Sequence, residues 1–524
     1  MNACSSATLN TDLQQARCNT IGAALTRISE RYGQKTAISF QDRHWSFSQL
    51  DQASNRVARQ LLALGLTKGD RVAAYGKNSD AYLILWLACT KAGLIHVPLN
   101  FSLVERELTF LLNQSGARAL FMDLDLHQHV AAIQVPDSLE IQGTLRDHSN
   151  TKPHQILHWA LADTDSSPLD LILDEHDVVQ ILYTSGTTSD PKGAMHTHSS
   201  LLTEYRSCWQ HLDIVANDLA LAALPLYHSA QMHVFTMPTL LIGGSSWIMD
   251  AVSADKLLPL IKAEQLNAFF APPTVWINLL RHPAFDEHQL QQLTKLYYGA
   301  SIMPAAIVQE LSERLPKAGL YNCYGQSEIA PLASVLRPEE HAERPTSAGQ
   351  PLLSVRTRVI NPQTGEPCAA NEQGEIVHQS AQLMQGYWDN PEATSKAFRQ
   401  GWFHSGDLGY QDEQGYLYIV DRINDVVNSG GVLIASRDVE EVLYSHPMVA
   451  EVAVIGVPDE RWIEAVTAVV VVKSEQQADA AELLRHAKQY LAHFKVPKHI
   501  HFVEQLPKNS AGKLLKRELR THYS

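Results

Sequence analysis

Short apolar segments alternate with longer segments of helical spacing early in the chain, and this alternation limits the fold more than any other feature. Arg71–Tyr75, Leu94–Pro98 and Ala119–Phe121 are short, apolar and bounded by turn residues, as buried strands are. The helical patterns Ala81–Ala92 and Glu105–Asn113 lie between them. Strands separated by helices pair in parallel within one sheet and carry the helices on its faces. The sequence therefore predicts a layered α/β architecture with mainly parallel strands.

The pattern changes twice further along the chain. Residues 355–418 carry short strand patterns broken by Gly and Pro, which indicates a β-rich part. After residue 423, two β-branched runs and a helical pattern indicate a small α+β unit. We therefore predict a large N-terminal domain, residues 1–423, of layered α/β structure plus the β-rich part, and a small C-terminal domain, residues 424–524.

Two serines are predicted to start helices. Ser48 is followed by Asp51 three residues later, which resembles a capping box. Ser436 precedes a short helical pattern that ends near His446-Pro447.

The net charge excludes one class of partner. The chain has 524 residues and a formal net charge of −14 at pH 7. A nucleic-acid-binding protein needs a basic surface, so this charge argues against a nucleic-acid partner. The net negative charge of the protein repels small anionic substrates, so local positive groups must hold them.

The cysteines and the apolar segments indicate a reducing compartment. Six cysteines are scattered without a Cys-x-x-Cys pair, which argues against a disulfide scaffold and a zinc site. Met1–Thr20 is polar and lacks a signal-peptide core. Lys91, Gly93 and His96 interrupt the apolar stretch Ala81–Leu99, which is therefore predicted to be a buried helix followed by a strand. We expect a cytoplasmic protein without stable membrane insertion.

A loop pattern rich in hydroxyl groups and glycine runs from Thr184 to Gly193, directly after the apolar run Val178–Leu182. Glycine lets the backbone approach a phosphate closely, hydroxyl and amide groups donate hydrogen bonds to it, and Lys192 adds positive charge. The pattern differs from the P-loop spelling, which disfavours a phosphotransferase that makes an acyl phosphate and ADP. From residue types alone, phosphate binding and a polar turn both remain open.

The spelling of this loop resembles the signature loop of the adenylate-forming superfamily, which includes acyl-CoA synthetases, firefly luciferase and peptide-synthetase adenylation domains. Ser189 stands where the family usually has glycine. The resemblance implies that ATP phosphates bind to the hydroxyl, glycine and lysine residues Thr184, Ser185, Gly186, Thr187, Thr188 and Lys192.

Further motifs follow in the family's order, so the resemblance covers nearly the whole chain. Leu224–His228 resembles the segment beside the acyl pocket, and His228 is implied to gate the acyl and thiol channels. Tyr324–Glu328 resembles the YGxTE element, in which Glu328 is implied to hold Mg²⁺ among the phosphate oxygens. The adenine is implied to lie among Gly299, Ala300 and Tyr324, and Gly325 and Ser327 are expected to contribute to cofactor binding.

Two motifs near the end of the predicted large domain resemble the ribose site and the hinge. Gly401–Asp407 resembles GW-x-x-[ST]GD, and Asp407 is implied to accept both ribose hydroxyls. Asp421–Asp425 resembles the hinge before the small domain, and Arg422 is implied to contact ribose or phosphate. Asn424 stands where the family usually has Asp or Lys.

Leu506–Lys513 resembles the loop that bears the family's catalytic lysine, here Lys513. On charge alone, a solvated basic tail would be the simpler interpretation. The resemblance implies that Lys513 bridges the carboxylate and the α-phosphate during adenylation. It also implies that the mobile small domain then rotates, which removes Lys513 and admits the thiol of coenzyme A.

The thioester half reaction is expected to use residues of the small domain. Gly430-Gly431 is implied to line the thiol channel, and Lys498 to contact the nucleotide of CoA. The chain departs from the family at Val432-Leu433, where Glu-Asn is frequent, and at Ile463, where glycine is frequent.

The resemblance thus predicts an AMP-forming carboxylic acid–CoA ligase that uses ATP, Mg²⁺ and CoA. Its catalytic residues are expected to be Lys513, His228, Glu328 and Thr184. The acyl pocket is expected to be built by apolar and aromatic segments without Lys or Arg, namely Tyr227–Phe235, Ala268–Trp276, Tyr297–Ser301 and Ile329–Pro331. Such a pocket favours a monocarboxylate over a dicarboxylate.

The acid and the acyl acceptor leave alternatives open. Several segments resemble bacterial fatty-acyl-CoA ligases, which favours a fatty acid, while Phe494–Leu519 also resembles chlorobenzoate–CoA ligase. An aromatic acid–CoA ligase and an adenylating enzyme that loads a carrier-protein thiol are the alternative enzymes. A catalytically inactive nucleotide-binding protein is the alternative outside enzymes. The oligomeric state is open, a homodimer included.

Overall fold

The computed structural model describes residues 19–147, 153–184, 191–288, 290–301, 303–423, 425–429, 432–459, 461–473, 476–508 and 514–524. Within these residues, the strands form four sheets, here called sheets A to D.

Sheet B confirms the parallel arrangement predicted for the early part of the chain. Its strands in spatial order are Ile141–Thr144, Ala119–Met122, Arg71–Tyr75, Ile95–Leu99, Val178–Thr184 and Lys192–Thr197. Neighbouring strands are parallel except the last pair, in which Thr184 lies opposite Lys192. This antiparallel pair brings both ends of the predicted phosphate loop to one edge of the sheet.

Sheet A is parallel in its middle and antiparallel at its ends. Its strands in spatial order are Gln350–Pro351, Leu332–Leu336, Gly319–Gly325, Lys295–Gly299, Ala268–Phe270, Leu219–Ala222, Ser245–Ile248, Thr36–Phe40 and Arg43–Ser46. Ligands of parallel sheets usually bind at the carboxyl ends of the strands. Gly299, predicted to border the adenine, and Gly325, predicted to bind the cofactor, lie at such ends.

Sheets C and D are mainly antiparallel. Sheet C contains Val355–Ile360, Gly374–Ser380, Phe398–Arg399, Trp402–Gln411 and Leu417–Arg422, which agrees with the predicted β-rich part. Sheet D contains Val427–Ser429, Val432–Ile434, Val449–Asp459, Ile463–Val472 and His499–Phe502, of which the last strand is parallel to its neighbour.

Helices cover the sheets. The α-helices of the described residues are Ile21–Tyr32, Phe47–Ala63, Asp80–Ala92, Glu105–Ser115, His127–Ala131, Ile156–Leu161, His198–His211, Met237–Ile242, Ala254–Ala263, Pro273–Arg281, Ala284–Glu287, Ala305–Arg314, Pro391–Ala397, Ser436–Tyr444, Ala480–Tyr490 and Lys516–Tyr523. Short 3₁₀-helices span Leu124–Leu126, Ser327–Ile329 and Pro338–Glu340, and a π-helix spans Ala230–Thr236.

The helix Asp80–Ala92 confirms the prediction of a buried helix followed by a strand. Ser79 caps its start, and every residue of the helix is buried. Its apolar residues join a core shared with Phe47–Ala63 and with both large sheets. Among the described residues, no helix combines the length and apolar character needed to cross a bilayer.

Both predicted helix starts need correction. The helix predicted to start at Ser48 begins at Phe47 and is capped by Ser46, whose hydroxyl accepts from Gln49 N at 3.2 Å in a capping box. Asp51 is instead drawn inward by Lys91 Nζ, which donates to its carboxylate at 2.6 Å in a buried ion pair. Ser436 is the first residue of its helix and not its cap.

Residues around sheet D pack into hydrophobic clusters of their own. Val427, Val439, Leu443, Val454 and Leu483 contribute to the larger of these clusters. The structure confirms the predicted fold class, a mixed α/β chain with a large N-terminal domain and a smaller C-terminal domain. The domain boundary at residues 423 and 424 stays a prediction.

Candidate active site

Asp407 and Arg422 form the centre of a buried polar cluster. The two residues lie opposite each other on neighbouring strands of sheet C, and Arg422 Nε lies 2.7 Å from Asp407 Oδ1. Tyr324 Oη, from sheet A, donates to Asp407 Oδ2 at 2.6 Å. The Asp407 carboxylate raises the pKa of Arg422, while burial and this carboxylate together raise the pKa of Tyr324. Three residues predicted to bind the nucleoside therefore lie in direct contact.

Glu328 lies at the centre of a second cluster. It is buried in the short 3₁₀-helix Ser327–Ile329. Its Oε1 accepts hydrogen bonds from Tyr387 Oη at 3.0 Å and from Thr184 Oγ1 at 3.4 Å. Glu328 also contributes to the raised pKa of Arg422, so the two clusters are near enough to interact electrostatically.

Lys192 belongs to the same cluster as Glu328. The antiparallel pairing with Thr184 fixes its backbone at the edge of sheet B. Its ammonium group lies 5.5 Å from the centre of the Tyr387 ring, a distance typical of a cation–π contact. The residues expected to bind phosphate and metal thus come together around Tyr387.

His228 and Ser327 lie on segments that are bonded to each other. His228 is half-buried and precedes the π-helix Ala230–Thr236; its Nδ1 accepts from Ala230 N at 3.3 Å. Ser229 and Ser327 share a hydrogen bond of 2.8 Å between their hydroxyls. The buried His196 donates from Nε2 to the carbonyl of Ser327 at 2.7 Å. Single π turns inside helices are frequent at functional sites.

Two glycines that are predicted to bind the cofactor lie where backbones come unusually close. A Cβ atom at Gly299 would lie 2.2 Å from the carbonyl oxygen of Cys323, and one at Gly325 would lie 1.8 Å from that of Pro331. Both positions therefore require glycine. Ala300, next to Gly299, is exposed and has a positive φ of 64°.

Several predicted site residues lie outside the described residues. They are the loop residues Ser185, Gly186, Thr187, Thr188 and Ser189, the hinge residue Asn424, the glycine pair Gly430 and Gly431, and the catalytic lysine Lys513. Their predicted roles stay predictions.

Contacts across the predicted hinge connect sheet C with the C-terminal part. Asp421 Oδ2 accepts from the backbone N–H of Ser436 at 2.8 Å and from its hydroxyl at 2.6 Å. Lys516, on the helix that follows the predicted catalytic loop, forms an ion pair with Glu440 at 2.8 Å. Arg520 on the same helix pairs with Asp425 at 2.6 Å.

Lys498 belongs to a cation–aromatic group in the smaller domain. Its Nζ lies 5.1 Å from the Trp462 ring centre, and the guanidinium of Arg461 lies 4.9 Å from the same ring. Ile463, next to Trp462, has a φ of 67° and a side chain 58% exposed. A β-branched residue at positive φ is strained, which accounts for the glycine expected at this position.

Two residues of the site were not found by sequence reasoning. Tyr387 joins Glu328 and Lys192, although it comes from a segment far along the chain. Glu204 is fully buried, and it accepts from Leu332 N, four residues after Glu328, at 3.0 Å and from Gln382 Nε2 at 2.6 Å. Burial raises the pKa of Glu204 well above its usual range. Local sequence patterns do not encode such long-range pairs.

Comparisons with known proteins agree with this geometry. The AMP-binding enzyme family matches residues 25–388, and the C-terminal domain of AMP-binding enzymes matches residues 438–513. The chain belongs to the AMP-binding enzyme family, the adenylate-forming enzymes that its motifs resemble. It is an AMP-forming acid–CoA ligase, with ATP, CoA and a small-molecule acid as substrates.

Three relatives illustrate the range of the family. A feruloyl-CoA synthase from an Amycolatopsis species is 37% identical over 93% of this chain and 96% of its own. A long-chain-fatty-acid–CoA ligase from Bacillus subtilis is 30% identical over 95% of this chain and 94% of its own. The structure of ATP-bound MatB from Rhodopseudomonas palustris has a TM-score of 0.87 at 30% identity and covers 96% of this chain and 99% of that protein.

Proposed function

We propose that the enzyme converts an aromatic monocarboxylic acid of the substituted-cinnamate class to its CoA thioester. In the first half reaction, the carboxylate attacks the α-phosphorus of ATP and displaces pyrophosphate, which gives an acyl-adenylate. In the second, the thiol of CoA attacks the acyl carbon, AMP leaves, and the thiol proton is released. The 37% identity to the Amycolatopsis feruloyl-CoA synthase supports this acid class.

The observation in the structure that carries the proposal is an aromatic stack within the predicted acyl-binding segments. Phe235 and Phe270 are stacked with ring centres 4.3 Å apart, and Tyr297 lies 4.9 Å from Phe235. The Tyr297 hydroxyl donates to the carbonyl of Leu212 at 2.9 Å, so the Tyr297 side chain is fixed by this hydrogen bond as well as by its contact with Phe235. Rigid aromatic walls suit a planar aromatic substrate, because stacked rings contribute beyond their buried area.

A fatty acid is the second candidate. The 30% identity to the Bacillus subtilis long-chain-fatty-acid–CoA ligase supports it, as does the absence of Lys and Arg from the four predicted acyl-pocket segments. An alkyl chain needs a long apolar tunnel, whereas an aromatic acid needs a short, flat pocket. The two acids therefore place different demands on the space beside Phe235 and Phe270.

We assign the nucleoside part of ATP to the first cluster. Asp407 is proposed to accept the ribose hydroxyls, with Tyr324 beside the adenine and Arg422 near the ribose or the phosphates. Arg422 and Tyr324 each contact one carboxylate oxygen of Asp407. Nucleotide binding therefore has to exchange or share these hydrogen bonds.

The second cluster is proposed to hold the phosphates and Mg²⁺. Glu328 supplies a carboxylate, and the described residues include no group of three His, Cys, Asp or Glu side chains that could bind a metal together. Mg²⁺ commonly takes only one or two carboxylates and completes its shell with water and substrate phosphates, so this donor set fits. When bound, the ion would neutralise phosphate charge. Thr184 and Lys192 are proposed to hold the departing pyrophosphate, and Lys513 to bring the carboxylate to the α-phosphate.

The smaller domain is proposed to bind CoA. Trp462 and the cationic groups of Arg461 and Lys498 beside its ring offer an aromatic surface and positive charge to a phosphorylated nucleotide. Gly430-Gly431 is proposed to line the thiol channel, with His228 at its inner end. A carrier-protein thiol is the alternative acceptor. If free CoA alone supports the release of AMP, the enzyme does not require a carrier protein.

Competition between acids tests the proposed substrate class. We expect kcat/KM for ferulic acid to exceed that for dodecanoic acid by at least about tenfold, because pocket shape alone discriminates at this level. Phe270→Leu should narrow this ratio, whereas Phe285→Leu, a buried change outside the predicted acyl segments, should not. If kcat/KM is higher for dodecanoic acid than for ferulic acid, the fatty acid replaces the aromatic acid as the proposed substrate.

A further inference from the structure

Tyr387 touches two groups of the phosphate cluster at once. Its hydroxyl donates to Glu328 Oε1 at 3.0 Å, and its ring faces the ammonium group of Lys192 at 5.5 Å. One side chain thus links a carboxylate and a cation that the proposed function assigns to the same triphosphate.

The backbone of Tyr387 is fixed by the strand that carries Lys192. Met195 N donates to the carbonyl of Gly386 at 3.0 Å, and Trp388 N donates to that of Gly193 at 2.7 Å. These bonds add the Tyr387 segment to the edge of sheet B. A side chain on such a rigid element can hold a neighbouring group within a narrow range of positions.

The same segment also fixes the backbone of Glu328. Met384 N donates to the carbonyl of Glu328 at 2.9 Å. Both hydroxyls that reach the Glu328 side chain, those of Tyr387 and Thr184, donate to Oε1. Within the described residues, no donor is hydrogen-bonded to Oε2. The carboxylate is therefore held through one oxygen, and the other oxygen is left for a cation.

We propose that Tyr387 is a positioning residue of the adenylation half reaction, which orients Glu328 toward the metal and seats Lys192 beside the phosphates. The inference rests on the roles of Glu328 and Lys192 in the proposed function. It does not depend on which acid the enzyme uses, because neither contact involves the predicted acyl-binding segments.

The test is a double-mutant cycle on the full-length protein, read through the Mg²⁺ dependence of pyrophosphate release. Tyr387→Phe removes the hydroxyl and keeps the ring beneath Lys192. The half-saturating Mg²⁺ concentration should rise about tenfold, the usual effect of losing one hydrogen bond to a charged group. The KM for the acid should stay within about twofold of the wild-type value, since a general loss of packing would change both constants.

The coupling with Glu328 separates positioning from packing. In a Glu328→Gln background, Tyr387→Phe should change the Mg²⁺ dependence by less than about twofold, because the group through which it acts is already altered. Tyr387→Leu should raise the KM for ATP above the Tyr387→Phe value, because it also removes the contact with Lys192. Tyr418→Phe, a half-buried tyrosine of sheet C, is the matched control and should behave as the wild type.

An unchanged Mg²⁺ dependence in Tyr387→Phe would overturn the inference. So would equal effects of Tyr387→Phe in the wild-type and Glu328→Gln backgrounds. If Tyr387→Phe unfolds below the assay temperature, Thr184→Val tests the same oxygen of Glu328 from the other side, and unchanged Mg²⁺ dependence there would also contradict the inference. If the wild type releases no pyrophosphate with any acid, the proposed function fails instead.

Discussion

Asp407 and Arg422 lie opposite each other in sheet C, and their 2.7 Å ion pair is completed by the hydroxyl of Tyr324 from sheet A. The contact joins two sheets at one carboxylate, which is buried. Arg422 is also two residues before Asn424, where the small domain is predicted to begin. The same residues that are proposed to bind the nucleoside therefore border the predicted hinge.

Asp407→Asn should weaken ATP binding by about tenfold or more, because it removes a charged hydrogen-bond acceptor and leaves Arg422 without its partner. Isothermal titration of ATP in the absence of acid measures the change directly. Glu413→Gln, which alters an exposed carboxylate in the next turn, should leave ATP affinity at the wild-type value. An Asp407→Asn protein that binds ATP as tightly as the wild type would remove Asp407 from the nucleotide site.

Lys513→Ala should separate the two half reactions. Adenylation should slow by about a hundredfold or more, the usual loss when one group that stabilises transition-state charge is removed. Thioester formation from pre-made acyl-adenylate should be largely retained, because Lys513 is expected to leave the site in that step. Single-turnover assays of each half reaction give the two rates, with Lys473→Ala at an exposed position as control. Equal losses in both half reactions would contradict the assigned role.

The buried histidines should make the protein sensitive to acid. Burial lowers the pKa of His96 to about 3 and the pKa values of His196 and His198 to about 4. Unfolded histidine titrates near pH 6.5, so between about pH 6.5 and 4 the unfolded chain binds protons that the folded chain does not. The free energy of unfolding should therefore fall as the pH is lowered through this window.

His96→Gln tests this pH dependence and keeps an acceptor for Gln180. Between pH 7 and 5, its unfolding free energy should decline by about 2 kcal/mol less than that of the wild type. His176→Gln, at an exposed histidine, should follow the wild-type decline. Urea unfolding at several pH values provides the comparison, and parallel curves for His96→Gln and the wild type would show that His96 does not contribute.

Ile463→Gly should stabilise the smaller domain. Ile463 has a φ of 67° and an exposed side chain, so glycine relieves strain while little apolar burial is lost. The free energy of unfolding should rise by about 1 kcal/mol. This is the cost of the left-handed conformation for an L-residue minus the entropy cost of introducing glycine. Val432→Gly, at an exposed strand position, should destabilise instead. If calorimetry gives a lower unfolding temperature for Ile463→Gly than for the wild type, the claim that the backbone at Ile463 is strained is contradicted.

Local patterns predicted much of the fold, and the resemblance to the adenylate-forming family implied the nucleotide-binding motifs. Arg71–Tyr75 is a strand with the predicted bounds, and the helix Asp80–Ala92 begins one residue before its predicted start. The prediction that Ser48 caps the helix was wrong. The helix starts two residues earlier, where Ser46 and Gln49 form the capping box. Sequence alone does not distinguish Ser46 from Ser48 as the cap, because the choice depends on the tertiary packing in which Asp51 pairs with Lys91.

Long-range register lies beyond such patterns. Tyr387 reaches Glu328 only because its segment pairs with the strand Lys192–Thr197, and no periodicity links these parts of the sequence. Glu204 supports the Glu328 turn through Leu332 for a similar reason. A buried carboxylate on an otherwise ordinary helix gives no local sign of the backbone that it holds.

The most direct test of the account is a product analysis with Mg-ATP and ferulic acid, with and without free CoA. We predict AMP and pyrophosphate in equal amounts, feruloyl-CoA as the acyl product, and multiple turnovers only when CoA is present. Formation of ADP and phosphate, or no release of pyrophosphate with ferulic acid or any fatty acid, would contradict the account.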